Sequence, residues 1–456
     1  MYACPSPLSL YKHTYKKGRG HQELKNMKKM ENKVVRDRKL QEIKVREYDS
    51  EKDLKMVEKL ERRCEAGSKE GFCFLSCAMD DPLCRIRHYT VHIIFVVEVV
   101  GNGEVVGVVR GCMKDVQNGI MAESNLKLGC ILGLRVSPMH RRRGIGLMLV
   151  KSVEEWAIRN DANYLSVATD DNNMASLHMF IDKCNYVKAN SLTIFAQPVV
   201  VGSMSEKTNN KKNIKIQKLS IEQSIDFYEN RLRENTGFLP SDIDAILRQK
   251  LSLGTWVSYY SDQGQFQWVD EKTTRPRSWA ITSIWNTCEA YKIEILGSGD
   301  HLRCFQGVVS RRMGSNSKSK SNSNSVGCLI PGCLEFQSFY DILDGPFGFL
   351  FLYGFHGEGD GIGDLTKALW CFSHNMAAKF KDCKALVTEL GCCDPLRNHI
   401  PDLHGVSTYH IDDLWLFKKA NCGNNDADQS GQTTGIQQHL PHALALPSLF
   451  VDPRDF

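Results

Sequence analysis

A chain of 456 residues with 42% hydrophobic and 24% charged side chains carries enough apolar material for sizeable cores, and at about 150 residues per domain it divides into two or three units. A fibre and a wholly disordered chain are excluded by the same figures. The formal net charge of +5 is unevenly placed: residues 12–40 hold eleven Lys and Arg against Glu23, Glu31 and Asp37, a net of +8, so the remainder carries about −3 and lacks the electrostatic footprint of a nucleic-acid binder.

Residues 1–41 read as a basic, solvated, disordered extension, within which Lys16-Lys17-Gly18-Arg19 has the look of a weak nuclear-import signal. The 17 cysteines are scattered without a single CxxC pair, which points to reduced thiols in a cytosolic or nuclear protein. Cys73-x3-Cys77 lacks a second ligand pair, so no metal is expected. The apolar runs Val91–Val100 and Phe347–Phe355 have strand length and fall short of the roughly 20 residues that cross a bilayer; no membrane partner is expected.

Ile43 to Arg46 alternates as a strand, and Asp49 to Cys64 places Leu54, Val57 and Leu60 on one helical face. His92–Val100 and Glu104–Arg110 flank Gly101-Asn102-Gly103, a hairpin signal, because these residues tolerate positive φ. Cys130–Val136 is the next strand. Ile145, Leu149, Val153 and Trp156 then recur at helical spacing, followed by a strand at Tyr164–Ala168, a helix over Asn173–Cys184 and a strand from Tyr186. The fold class is therefore α/β, a mixed sheet with helices on both faces, occupying residues 42–200.

Residues 201–213 read as a linker, and the pattern then recurs over 214–420: a strand at Ile214–Ile216, helical material over Ser224–Lys250, strands at Trp256–Tyr260, Trp279–Trp285, Tyr291–Leu296 and Phe349–Phe355, a helix carrying Leu365, Leu369 and Phe372, and strands at Ala385–Leu390 and Leu414–Phe417. A Ser/Asn/Lys tract over 313–326 is a disordered insert. The tail, 421–456, ends in Leu446-Pro447-Ser448-Leu449-Phe450-Val451, apolar enough to dock onto the body.

Chemistry concentrates at Leu134-Arg135-Val136-Ser137-Pro138-Met139-His140-Arg141-Arg142-Arg143-Gly144-Ile145-Gly146: a strand, a basic turn and a helix start. Gly144 and Gly146 let backbone approach phosphate oxygens, the first amides of the helix point at the same place, and the arginines supply charge-assisted bonds. Taken alone the string is as readily a turn with a solvated basic patch. No GxxxxGK[ST] and no GxGxxG with a downstream acid is present. The whole string resembles the acetyl-CoA motif of GNAT acetyltransferases, and Asn172 to Phe180 followed by Lys183-Cys184-Asn185-Tyr186 resembles a second GNAT segment. That resemblance implies acetyl-CoA as co-substrate, held by Leu134, Arg135, Val136, Arg141, Arg142, Arg143, Gly144, Ile145 and Gly146, with Asn173 and Phe180 at the thioester end.

The chain departs from the GNAT pattern at two places. Phe180 stands where many members have a tyrosine that protonates the leaving thiolate, and Cys130 where the histone-modifying branch places a glutamate base. A base is needed, because a lysine amine of pKa about 10.4 is protonated at neutral pH; Glu98, Asp115 and Glu123 are carboxylates that could act through a water, though each reads more readily as a hairpin or surface residue. In the second half Gly361-x-Gly363 repeats the glycines, but Glu358 replaces the arginine and would repel a pyrophosphate, so this copy is expected to be structural.

Ile86-Arg87-His88, Leu132 to Pro138, Lys183-Cys184-x-Tyr186, Lys250 to Thr255, Asp394-Pro395-Leu396-Arg397 and Phe450 to Phe456 together resemble the plant Hookless family of probable N-acetyltransferases. The resemblance runs from about Val45 to Phe456, with Asn185 and the first forty residues departing from it. It implies a GNAT acetyltransferase fold followed by a second, divergent GNAT-like domain, a nuclear protein in plant development and hormone response, and a protein lysine, histone included, as acceptor. A CoA-binding regulator with little turnover and a scaffold recruiting partners are the competing classes.

Overall fold

The computed structural model describes residues 42–64, 72–77, 81–117, 125–200, 213–233, 236–264, 266, 276–297, 345–402, 408–420 and 449–455. The basic extension, most of the linker, the insert at 313–326 and most of the tail lie outside them.

The first half opens with β1 (Ile43–Glu47) and α1 (Ser50–Arg63), whose Asp49 cap accepts a bond from the Glu51 amide. Then come β2 (Phe72–Cys77), β3 (His92–Val99), β4 (Val105–Gln117) and β5 (Asn125–Val136). The β3–β4 hairpin closes where the sequence places it, Gly103 taking φ +71° and its amide bonding Val99. Next are α2 (Ile145–Arg159), β6 (Tyr164–Asp170), α3 (Met174–Leu177), continued by a π-helical turn over His178–Lys183, and β7 (Val187–Pro198).

The second half repeats the order: β8 (Ile214–Lys218), α4 (Ile221–Phe227), β9 (Leu239–Pro240), α5 (Ile243–Arg248), β10 (Ser252–Tyr260), β11 (Trp279–Asn286), β12 (Lys292–Gly297), β13 (Gly348–Glu358), α6 (Ile362–Ala377), β14 (Cys383–Gly391) and β15 (Tyr409–Lys419). The helical material read over Ser224–Lys250 is two short helices on either side of β9. Ser220 and Gln223 form a capping box on α4, and Phe238, at φ +60°, interrupts any continuous helix.

Twelve strands form one continuous order, β1-β3-β4-β5-β6-β15-β7-β14-β13-β11-β10-β8, with β9 attached to β4. The order is symmetric about the β15–β7 pair. Each half donates its final strand to the other: β15 lies between β6 and β7, and β7 lies between β15 and β14. A second exchange joins β2 to β12 in a small separate sheet.

Helices α2 and α6 cover one face of the large sheet, while α1, α4, α5 and the tail cover the other. Helix α2 sits close because Gly107, Gly111 and Gly129 lie beneath it; a Cβ at Gly129 would stand 2.8 Å from Cβ of Ala157. On the opposite face Leu449–Asp455 is folded onto the body. Phe450 meets Tyr228 and Tyr353 edge-on, Arg454 bonds Asp242 and Asp452, and Lys114 holds both Asp455 oxygens at 2.5 and 2.6 Å.

Candidate functional site

The site arises where two parallel neighbours part. β5 and β6 pair only from Leu128↔Tyr164 to Ile131↔Val167. Beyond that point β5 continues to Val136 along β4 alone, and its register slips by one residue between Arg110↔Leu132 and Val108↔Arg135. The bulge is made by Gly133 at φ +57°, where a Cβ would meet Nη1 of Arg110 at 2.8 Å. A wedge-shaped gap therefore opens between Leu132–Val136 and Ala168–Asp170, and no β5–β6 pairing uses the backbone groups that line it.

The turn after β5 delivers the basic residues to the gap's rim. Arg141 is exposed and its Nε bonds the Val136 carbonyl at 3.3 Å; Arg142 is exposed at φ +65°, and Arg143 is half-buried. Gly144, at φ +82°, caps α2 without any side-chain capping bond, and the first helical bond runs from the Met148 amide to Gly144 O. The amides of Ile145, Gly146 and Leu147 precede that bond and point outward with the positive end of the helix dipole. Ile145 is anchored at 1% exposure, and Gly146 lets Met179 approach, its Sδ lying 3.1 Å from where a Cβ would stand.

Leu134 and Val136 pack their side chains toward the core beneath α2, leaving their backbone along the gap. Arg135 donates to Leu134 O at 3.0 Å; burial, with Arg110 and Arg85 nearby, holds it below the usual guanidinium range, against the pull of Glu61. Asn173 caps α3, its Oδ1 accepting from the Ser176 amide at 3.2 Å. Phe180, expected at the thioester end, lies in the core at 2% exposure, with its ring edge-on to Tyr186.

The three carboxylates offered as bases fare unequally. Glu98 bonds Lys52 at 2.9 Å and Arg46 at 2.6 Å, which hold its carboxyl below the ordinary range and make it a poor proton acceptor. Asp115 is exposed beside Lys127, well down β4 from the gap. Glu123 falls outside the described residues. At the apex stands Cys130, paired in register with Cys112 and Ser166; its thiol accepts a bond from Ser166 Oγ at 3.3 Å.

The corresponding gap of the second half is built the same way. β13 and β14 pair in parallel from Gly348 to Leu352, and the slip recurs at Gly354, φ +61°. Its helix start is occupied by the chain's own side chains: Tyr260 lies against Gly361, His399 against Gly363, and the Gly361 amide bonds Ser278 Oγ at 3.4 Å. Glu358 pairs with Arg231.

A mixed sheet whose central parallel strands part beside a glycine-led helix is the GNAT arrangement, and residues 54–186 match the family model described as "Acetyltransferase (GNAT) family". The chain is 34% identical over 432 residues to the Probable N-acetyltransferase HLS1 of Arabidopsis thaliana, covering 90% of this chain and 99% of that one. It is 28% identical over 453 residues to the Acetyl transferase GW6a of Oryza sativa subsp. japonica, covering 91% and 97%. Among solved structures, Saccharomyces cerevisiae N-myristoyltransferase with bound myristoyl-CoA is 11% identical with a TM-score of 0.46, over 83% of each chain. The chain belongs to the Hookless family of GNAT acetyltransferases.

Among the described residues no three His, Cys, Asp or Glu gather as a metal site, and no helix is long and apolar enough to cross a membrane.

Proposed function

We propose that the chain transfers acetyl from acetyl-CoA to a primary amine, with a protein lysine, histone included, as acceptor, in a nuclear regulatory setting. The observation that carries this reading is the gap between β5 and β6, with the uncapped start of α2 at its rim. The amides of Ile145, Gly146 and Leu147, with Arg141, Arg142 and Arg143, would hold the pyrophosphate. The backbone of Leu134–Val136, unpaired with β6, would take the pantetheine arm in strand fashion, and the acetyl carbonyl would end near the apex. Held there, the thioester meets an amine already oriented for attack, which supplies much of the rate. The basic extension, if it directs the chain to the nucleus, does so independently of this site.

A CoA-binding regulator with little turnover is the second reading. It is favoured by the burial of Phe180 and by the thiol of Cys130 where relatives of the histone-modifying kind carry a glutamate.

Calorimetric titration of acetyl-CoA into the full chain, followed by a thiol-release assay with histone peptides, separates the two. Each charge-assisted bond contributes about 1.5–3 kcal/mol, so an Arg141→Ala, Arg143→Ala double variant should bind on the order of 100-fold or more weakly. Binding with acceptor-dependent thiol release supports the enzyme. Binding without release from any peptide supports the regulator, and absence of binding sinks both.

A further inference from the structure

Duplication supplies an internal comparison at the apex of the gap. The two bulges match position for position: Gly133 with Gly354, Leu132 with Tyr353 and, across the ladder, Arg110 with Ser283. Counting back from them, Cys130 corresponds to Phe351, its antiparallel partner Cys112 to Trp285 and its parallel partner Ser166 to Val387. The second half fills all three positions with apolar side chains of the core, so the sheet itself does not call for polar ones. The half whose helix start is open carries two thiols and a hydroxyl there.

These groups stand at the thioester end. Cys130 and Cys112 join the core on the face opposite α2. Cys130 is the last β5 residue on that face before Ile131↔Val167 ends the β5–β6 pairing, about 3.3 Å farther along the strand. Two residues beyond Ser166, on the same side by alternation, Ala168 is exposed, and Leu132 beside it on β5 is half-buried. A pantetheine arm in the gap brings its thioester to the apex from the side of α2, and the thiol stands on the other side, where the face opens at Ala168. Ser166 Oγ donates to Cys130 Sγ at 3.3 Å, and the Cys112 thiol donates to it across the ladder. Lys114, two residues beyond Cys112 on the same face, adds an ammonium that it shares with Asp455. The Cys112 bond, helped by Lys114 and Ser166 and opposed by burial and Asp455, holds the Cys130 thiol below its ordinary range; burial and the same bond hold Cys112 above it and protonated. The thiolate is the nucleophilic form of cysteine.

We propose that Cys130 is the acetyl carrier of the first half: its sulfur takes the acetyl group from CoA and passes it to the amine. This rests on the acetyl-transfer reading above. In the first step the Cys130 sulfur forms a bond to the acetyl carbon as the carbon–sulfur bond to CoA breaks, and the departing CoA thiolate takes a proton from solvent. One thioester replaces another, so this step needs no base. In the second step the acceptor's ammonium loses one proton to solvent, and the neutral nitrogen forms a bond to the acetyl carbon as the bond to Cys130 breaks. The nitrogen's second proton also passes to solvent, and the Cys130 thiolate is restored under its two donors.

The test mixes the full chain with acetyl-CoA in the absence of any acceptor, quenches with acid and maps the peptides by mass. Acetyl should appear on Cys130 as a hydroxylamine-labile thioester, and isotopically labelled CoA should exchange into acetyl-CoA. With a lysine-bearing histone peptide added, varying both substrates should give parallel double-reciprocal lines. Cys130→Ala should lose the label and the exchange, and kcat by on the order of 1000-fold, while its calorimetric affinity for acetyl-CoA stays that of wild type, which also shows that it folds. A wild-type chain that binds acetyl-CoA and acetylates the peptide without label or exchange overturns the proposal. So does label that reaches the exposed Cys392 and Cys393 as fast as Cys130, the mark of uncatalysed acetylation. A wild-type chain that binds no acetyl-CoA overturns the acetyl-transfer reading and the proposal with it, and the binding titration tells that failure from the others.

Discussion

Asn185 occupies φ +59°, a left-handed conformation that Gly adopts freely and Asn tolerates. That is why the chain accommodates a non-glycine residue at this turn. The strand, turn and helix start around Gly144, at φ +82°, follow the order read from the sequence, whereas the arginines' part in holding a pyrophosphate came only with the family resemblance. The neighbours of Cys130 could not be read, since Cys112 and Ser166 meet it only through sheet register. Of the carboxylates offered, Glu98 is held by ion pairs with Arg46 and Lys52 and Asp115 is exposed. Another carboxylate, Asp413, sits against Asp170 through strand pairing across more than half the chain, which no local pattern reveals.

Burial first, then Asp170, Asp171 and Asp412, push the Asp413 carboxyl up to about 7, with a consequence for stability. A carboxyl at about 7 when folded and 3.8 when unfolded binds its proton more tightly in the folded chain, so stability falls as pH rises from about 4 to about 7. At about 1.4 kcal/mol per pH unit the ceiling is about 4 kcal/mol, less whatever solvent screening removes. Asp413→Asn should therefore unfold at higher urea than wild type at pH 8 and at matched urea at pH 4, roughly where the unfolded carboxyl protonates. A variant less stable at both values would mean that the carboxylate is held by donors and is not strained.

At the scale of elements, periodicity sufficed for α2 and α6, which present one apolar face to a core, and apolar runs of strand length for β3, β4 and β13, which are buried on both faces of the sheet. Over Ser224–Lys250 periodicity marked helical material but not its division into two short helices around a two-residue strand that meets β4. The closeness of α2 to the sheet depends on absent side chains, which patterns of apolar residues do not record. Gly129→Ala would set its Cβ 2.8 Å from Ala157 and 3.0 Å from Leu165 Cδ2. Overpacking of this kind costs about 1–3 kcal/mol, and because the helix moves with its first turn, acetyl-CoA affinity should fall along with the urea midpoint. Unchanged affinity would show that the rim is positioned by the turn and not by the helix.

For the whole molecule, the internal duplication was legible as a repeated order of strands and helices, and the shared bulges at Gly133 and Gly354 give it a structural counterpart. What could not be read was that the halves are interlocked. A boundary at 201–213 cuts the chain, but β15 completes the first half's sheet and β7 the second's. Residues 42–200 expressed alone leave edges of β6 and β7 unpaired, an invitation to association. We expect that fragment to lack a cooperative urea transition and to run as aggregate in gel filtration, and to recover a soluble, cooperatively folded species when co-expressed with residues 201–456. A monomeric, cooperatively folding fragment would show that the exchange is dispensable.

The interlocking also sets a schedule for synthesis. β6 ends at Asp170, and the strand that must pair with it begins only at Tyr409. At roughly 5–20 residues per second, a ribosome needs on the order of 10–50 s to bridge that interval. During that time the nascent first half has made its glycine-led turn and its parallel strand pair but must carry the outer edge of β6 bare. Demand for chaperone protection should therefore peak in the middle of translation and subside once β15 clears the exit tunnel.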